Sequence, residues 1–101
     1  MGIPQQTDGL EYLINSLKEQ RHWITEVSNL SQLILRLDKL GKTASIRDLA
    51  NLISRSKSWV GVSMLLIRGL KVYPEIEKCG SRNEAYAYLK KKQKLRRFLE
   101  S

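Results

Sequence analysis

Cysteine occurs once in this sequence, at Cys79, so no disulfide forms within the chain. The single thiol and the single imidazole, His22, stand far apart with no second of either kind, which argues against a zinc site. Proline occurs twice and glycine six times, too few for the tight turns of a β-sandwich or barrel. The longest unbroken apolar run is Met64-Leu65-Leu66-Ile67, far short of a membrane span. No basic region followed by an apolar stretch opens the chain, so no signal peptide is expected. Gln6 stands where a myristoylation signal starting at Gly2 wants Ser or Thr. A reducing, cytoplasmic setting suits these absences. No glycine-rich phosphate loop occurs, and the acidic residues are scattered. Ser54-Arg55-Ser56-Lys57 fits a Ser–x–x–Lys pattern in form only, because the partner motifs of that enzyme class are missing. The expectation is therefore no enzyme, no metal and no cofactor.

Positive charge, by contrast, is plentiful. Eighteen Lys and Arg against ten Asp and Glu leave the 101 residues at +8, a balance that favours a polyanionic partner. The excess is one-sided. Residues 1–40 carry four cations against five anions, and residues 41–101 carry fourteen against five. This asymmetry suggests packing or partner contacts in the first part and polyanion contacts in the second.

Apolar spacing is helical almost throughout, and the fold class read from it is all-α: one domain over 1–101, a small bundle of about five to six helices. Leu10, Leu13, Ile14 and Leu17 follow the i, i+3, i+4, i+7 template, with Asp8 placed to cap the first turn. Leu30, Leu33, Ile34 and Leu37 repeat it, and Gly41 is a natural stop. Residues 20–29 read ambiguously. Ser45 and Asp48 have cap spacing ahead of Ile46, Leu49, Ala50 and Ile53. A further helix is expected over about 57–68, capped by Ser56 and ended by Gly69. Tyr73-Pro74 starts a short turn of helix, and Ser81-Arg82-Asn83-Glu84 forms a capping box for a basic C-terminal helix over 81–100.

Residues 45–68 carry the most information. Two helices joined by a three-residue turn cross steeply only with a small residue at the contact, an apolar wedge and a cap for the second helix. Ala50, then Ile46, Leu49, Ile53 and Val60, then Ser56 meet those needs in turn, the pattern of a helix-turn-helix whose second helix enters the DNA major groove. Asp48-Leu-Ala-Asn-Leu-Ile-Ser-Arg-Ser-Lys-Ser-Trp-Val-Gly, followed by Met64-Leu65-Leu66 and Pro74-Glu75-Ile76, resembles the ParB/KorB-type helix-turn-helix. That resemblance covers roughly residues 30–90. It implies a short duplex target, usually bound as a dimer, in plasmid or chromosome partition, prophage maintenance or transcriptional control. Ser54 replaces the family's usual turn glycine, and Leu65 falls where the family often has Arg. Nothing upstream resembles its nucleotide-binding domain, so only the DNA-reading module carries over, without the CTP-dependent clamp.

With Val60, Met64 and Ile67 facing the core, Lys57, Ser58, Gly61 and Val62 fall on other faces of the helix. Lys57 and Ser58 are the expected base-edge contacts, Gly61 permits close approach, and Val62 suits a thymine methyl. Ser56 suits a phosphate at the helix N-terminus, with Lys42, Arg47 and Arg55 as further phosphate contacts. Trp59 reads better as a core residue than as a DNA contact. Lys90, Lys91, Lys94, Arg96 and Arg97, with Lys92, form the basic tail. It reads equally well as a phosphate arm or as a solvated helix end. The expected partners are double-stranded DNA and a second copy, with residues 1–40 as the dimer or partner surface, and no membrane, since Phe98 is the tail's lone anchor. Nucleoid association would follow. Two rivals remain open: an adaptor that docks a larger protein machine, and a nonspecific nucleic-acid binder driven by the tail.

Overall fold

The computed structural model describes residues 5–100, with side chains placed for 10–95 and Arg97. Five α-helices follow one another: α1 (Gln5–Lys18), α2 (Trp23–Lys39), α3 (Ile46–Ile53), α4 (Lys57–Val72) and α5 (Arg82–Glu100), with a short 3-10 turn at Pro74–Lys78 before the last. No strand occurs among the described residues, so the all-α expectation holds. Met1–Pro4, where the N-terminal signal readings fall, lie outside the described residues.

Local chemistry sets most of the boundaries. His22 caps α2 by accepting from the Ile24 N–H, which resolves the ambiguous stretch: α1 stops at Lys18 and α2 starts at Trp23. The end of α2 is a Schellman motif. Gly41 is left-handed at φ +75°, the Lys42 N–H bonds the Leu37 carbonyl at 2.9 Å, and the Gly41 N–H bonds the Asp38 carbonyl at 3.0 Å. Ser45 and Asp48 form a reciprocal capping box on α3. On α5, Ser81 accepts from the Glu84 N–H, while the Glu84 carboxylate reaches back to the Gly80 N–H at 2.7 Å.

Three expectations are corrected. Asp8 lies inside α1, which starts at Gln5, and not at the N-cap position expected for it. Gly69 does not end α4; it is buried inside the helix, where α5 presses against it. Ile46 is 41% exposed and fills no wedge, because the short helix α3 turns only Leu49, Ala50 and Ile53 inward.

Apolar side chains gather in two clusters. The first joins α1, α2, α3 and the start of α4 through Leu13, Leu17, Leu30, Leu33, Leu49, Ile53 and Val60. The second joins the start of α2, the end of α4, the 3-10 turn and α5 through Trp23, Val27, Leu66, Ile76, Ala85 and Leu89. Helix α4 therefore runs through both, with Val60 and Leu66 each completely buried. Each such side chain contributes roughly 1.5–3 kcal/mol on burial. Helix α5 buries only Ala85 and Leu89 among its described side chains; beyond Leu89 the rest are exposed except half-buried Lys92. Its outer half stands off from the body, in keeping with overall dimensions of 58 × 27 × 22 Å.

Candidate nucleic-acid interface

The rotation of α4 decides which of its side chains meet solvent. Val60, Ser63, Leu66 and Gly69 are its buried stripe, so Lys57 and Ser58 are turned outward on the first turn. Gly61 follows on the same side, half-buried, and a Cβ built there meets nothing within 4 Å. A mid-helix glycine costs about 0.5–1 kcal/mol relative to alanine. Since the fold leaves room for a side chain, packing does not account for it.

The turn ahead of α4 is strained at a left-handed residue that is not glycine. Ser54 is left-handed at φ 56° and ψ 44°, the only non-glycine with positive φ among the described residues. In this geometry the Arg55 N–H reaches the Ala50 carbonyl at 3.0 Å and closes α3. Ser56 then opens α4, its hydroxyl accepting from the Trp59 N–H at 3.0 Å.

Lys42, in the α2–α3 connection, and Arg47, on the first turn of α3, are both exposed. So are Lys90, Lys91, Lys94 and Arg97 on α5; Arg96 lies on that helix too, and its side chain is outside the described residues. The basic tail and the first turn of α4 are not neighbours. Gln93 and Arg97 share a groove with Arg68 and Val72, at the far end of a helix of 16 residues from Lys57. At 1.5 Å per residue that separation along α4 is about 16 Å or more.

Two of the expected contacts lie elsewhere. Val62 packs half-buried against the second apolar cluster, so its methyl groups are committed to the core rather than to a thymine. Arg55 points inward instead of toward a phosphate. Its Nε donates to the Leu17 carbonyl at 2.9 Å, and one terminal nitrogen donates to the Glu19 carbonyl at 2.8 Å and to Glu26 Oε2 at 3.4 Å. It thereby satisfies carbonyls left open at the end of α1.

Arg55 belongs to a polar knot that sequence reasoning did not find. Glu26, only 5% exposed, also accepts from Arg82 at 2.9 Å and from the Arg21 N–H at 3.3 Å. Both arginines also lie over the Trp59 ring, with the guanidinium carbons of Arg55 and Arg82 at 4.7 and 4.2 Å from its centroid. Arg82 also donates to Ser63 Oγ, whose own hydroxyl donates to the Trp59 carbonyl at 2.7 Å. Trp59 is thus half-buried against the first cluster, as a packing residue. The knot sits between the two apolar clusters and ties α2, the pre-α4 turn, α4 and α5 together. No local motif announces it, because Glu26 meets partners 29 and 56 residues away.

Among the described residues no group of His, Cys, Asp and Glu is arranged to hold a metal ion, and no helix is long and apolar enough to cross a membrane. Comparisons with protein-family models, with curated proteins and with solved structures find no match.

Proposed function

We propose that this chain is a sequence-specific double-stranded DNA-binding protein that inserts the first turns of α4 into the major groove. Lys57 and Ser58 read base edges, Gly61 lets the helix backbone come close, and Lys42 and Arg47 hold phosphates on the flanking strands. One observation carries the reading. Complete burial of Val60 turns Lys57 and Ser58 outward beside a helical glycine for which the fold has no packing use. The ParB-type resemblance of residues 48–61 supports the same assignment, and with it a role in partition, prophage maintenance or transcriptional control. Val62 and Arg55 have no part in this version of the site.

One such helix touches few base pairs, so the reading includes a dimer. The surface that suits it is the α1–α2 face, where Leu35 and Leu40 are 57% and 49% exposed beside a groove also lined by Leu10. The same apolar face favours the adaptor reading as the second choice, with a larger protein in place of the second copy.

Selection of bound sites from random duplexes tests the proposal. A preferred site should emerge, and the double substitution Lys57→Ala, Ser58→Ala should relax the preference while residual salt-dependent binding persists. Selection without enrichment, or an unchanged preference in the double variant, would overturn it.

A further inference from the structure

The exposed side of α4 changes character along its length. Its first part is small and polar. Beyond Gly61 come Leu65 and Val72, 37% and 55% exposed, with Arg68 between them. Facing them across a groove of about 280 Å³ is the outer half of α5, which contributes Leu89, Gln93 and Arg97. Gly69 makes the groove possible by letting α5 approach so closely that the two helices become its walls.

The groove joins an apolar strip to a cationic rim. Arg68 is exposed on one wall and Arg97 on the other, Lys90 and Lys94 are exposed on the same stretch of α5, and among the described residues no carboxylate lines the groove. Three occupants fit poorly. A DNA backbone gains nothing from Leu65 and Val72, which it would have to cover without burying them against apolar atoms. The α5 helix of a second copy would bring its own Lys and Arg run against Arg68. A small molecule wants a concave site that encloses most of its surface, and this groove lies open between two helices. A helix with leucines on one face and carboxylates along its flanks matches both strip and rim.

We infer that the α4–α5 groove docks an acidic amphipathic helix of a partner protein, its apolar face on Leu65 and Val72 and its carboxylates against Arg68 and the cations of α5. This inference stands independently of the DNA reading, since it uses the opposite end of α4.

The test titrates the full chain with a labelled synthetic helix of about four turns. Its leucines are spaced i, i+3, i+4, i+7, and its other positions are mostly glutamate. Binding is followed by anisotropy and by amide chemical shifts. Saturable binding is expected, with shifts centred on Leu65, Arg68, Val72 and Gln93. A scrambled probe of the same composition and a lysine-for-glutamate probe should each bind at least about tenfold more weakly. Leu65→Glu with Val72→Glu should lose binding by a similar factor, with helical content checked by circular dichroism. Should that pair disturb folding, Arg68→Glu, at an exposed position, is expected to weaken binding several-fold alone. Equal binding of the scrambled probe, shifts centred elsewhere, or perturbation of these amides by a duplex but not by the acidic helix would each overturn the inference.

Discussion

A Cβ built on Gly61 meets open space, whereas one built on Gly69 comes within 2.9 Å of Leu89 Cδ1 and 3.3 Å of Ile76 Cδ1. The two glycines sit about two turns apart on α4. In the half that begins at Lys57, the fold holds the inner side through Val60 and leaves the outer side unoccupied. In the half that ends at Val72, the helix backbone is itself a packing surface, and removing the side chain lets α5 close on it. Identical residue types at neighbouring places therefore report different pressures. At Gly69 the pressure comes from the core; at Gly61 the core exerts none, and the proposed major-groove contact would supply it.

Four experiments would sharpen or break that contrast. The largest effect is expected from Glu26, whose carboxylate links the turn ahead of α4 to the start of α5. Glu26→Ala leaves Arg55 and Arg82 without their shared anion and should lower unfolding free energy by about 3 kcal/mol or more in urea denaturation. A loss below about 1 kcal/mol would mean that the two halves hold together without the knot. Next, Gly69→Val overfills the α4–α5 contact and should cost about 2–3 kcal/mol, with Leu89 and Ile76 displaced. Third, Gly61→Ala should move stability the opposite way, raising it by about 0.5–1 kcal/mol. In the same variant, affinity for a selected duplex should fall about tenfold, since the added methyl obstructs close approach. Similar signs at both glycines would dissolve the contrast. The smallest effect concerns Cys79, half-buried against the second cluster. Burial, and then the nearby Glu84 carboxylate, push its thiol above the ordinary range. The thiolate is therefore scarcer than in a free cysteine, so alkylation near pH 8 should run slower than for a small thiol and accelerate at higher pH. Alkylation as fast as the small thiol at pH 8 would contradict this environment.

Much of the fold was legible because its boundaries are written locally. Ser45 with Asp48, Ser56, Ser81 with Glu84, and Gly41 all sit within five residues of the groups they satisfy, and each marks the helix end its spacing predicts, although Glu84 reaches the Gly80 N–H and not that of Ser81. Gly69 was misread for the converse reason. Glycine near a helix's expected end signals a stop, and only the position of Leu89 reveals that this one is a crossing point. Ile46 fits the apolar period of α3, yet a helix of eight residues has too narrow a buried face to use it.

The candidate site divides along the same line. The outward setting of Lys57 and Ser58 follows from the helical period once Val60 is taken as core. Arg55 could not be placed that way. In sequence it is one more cation beside the segment that resembles a helix-turn-helix, while its actual partners, Leu17, Glu19 and Glu26, come from the first third of the chain. The groove beside Arg68 was invisible for a related reason. Leu65 and Val72 look like ordinary core positions until α5 is seen to stand off from them.

Val60 and Leu66 anchor α4 in separate cores, so the pose of this helix is fixed twice over and owes nothing to its outer residues. Positions 57, 58 and 61 are thus free to drift or be rewritten without reorienting the scaffold, which is the condition for descendants of one fold to acquire new targets by exchanging a few letters.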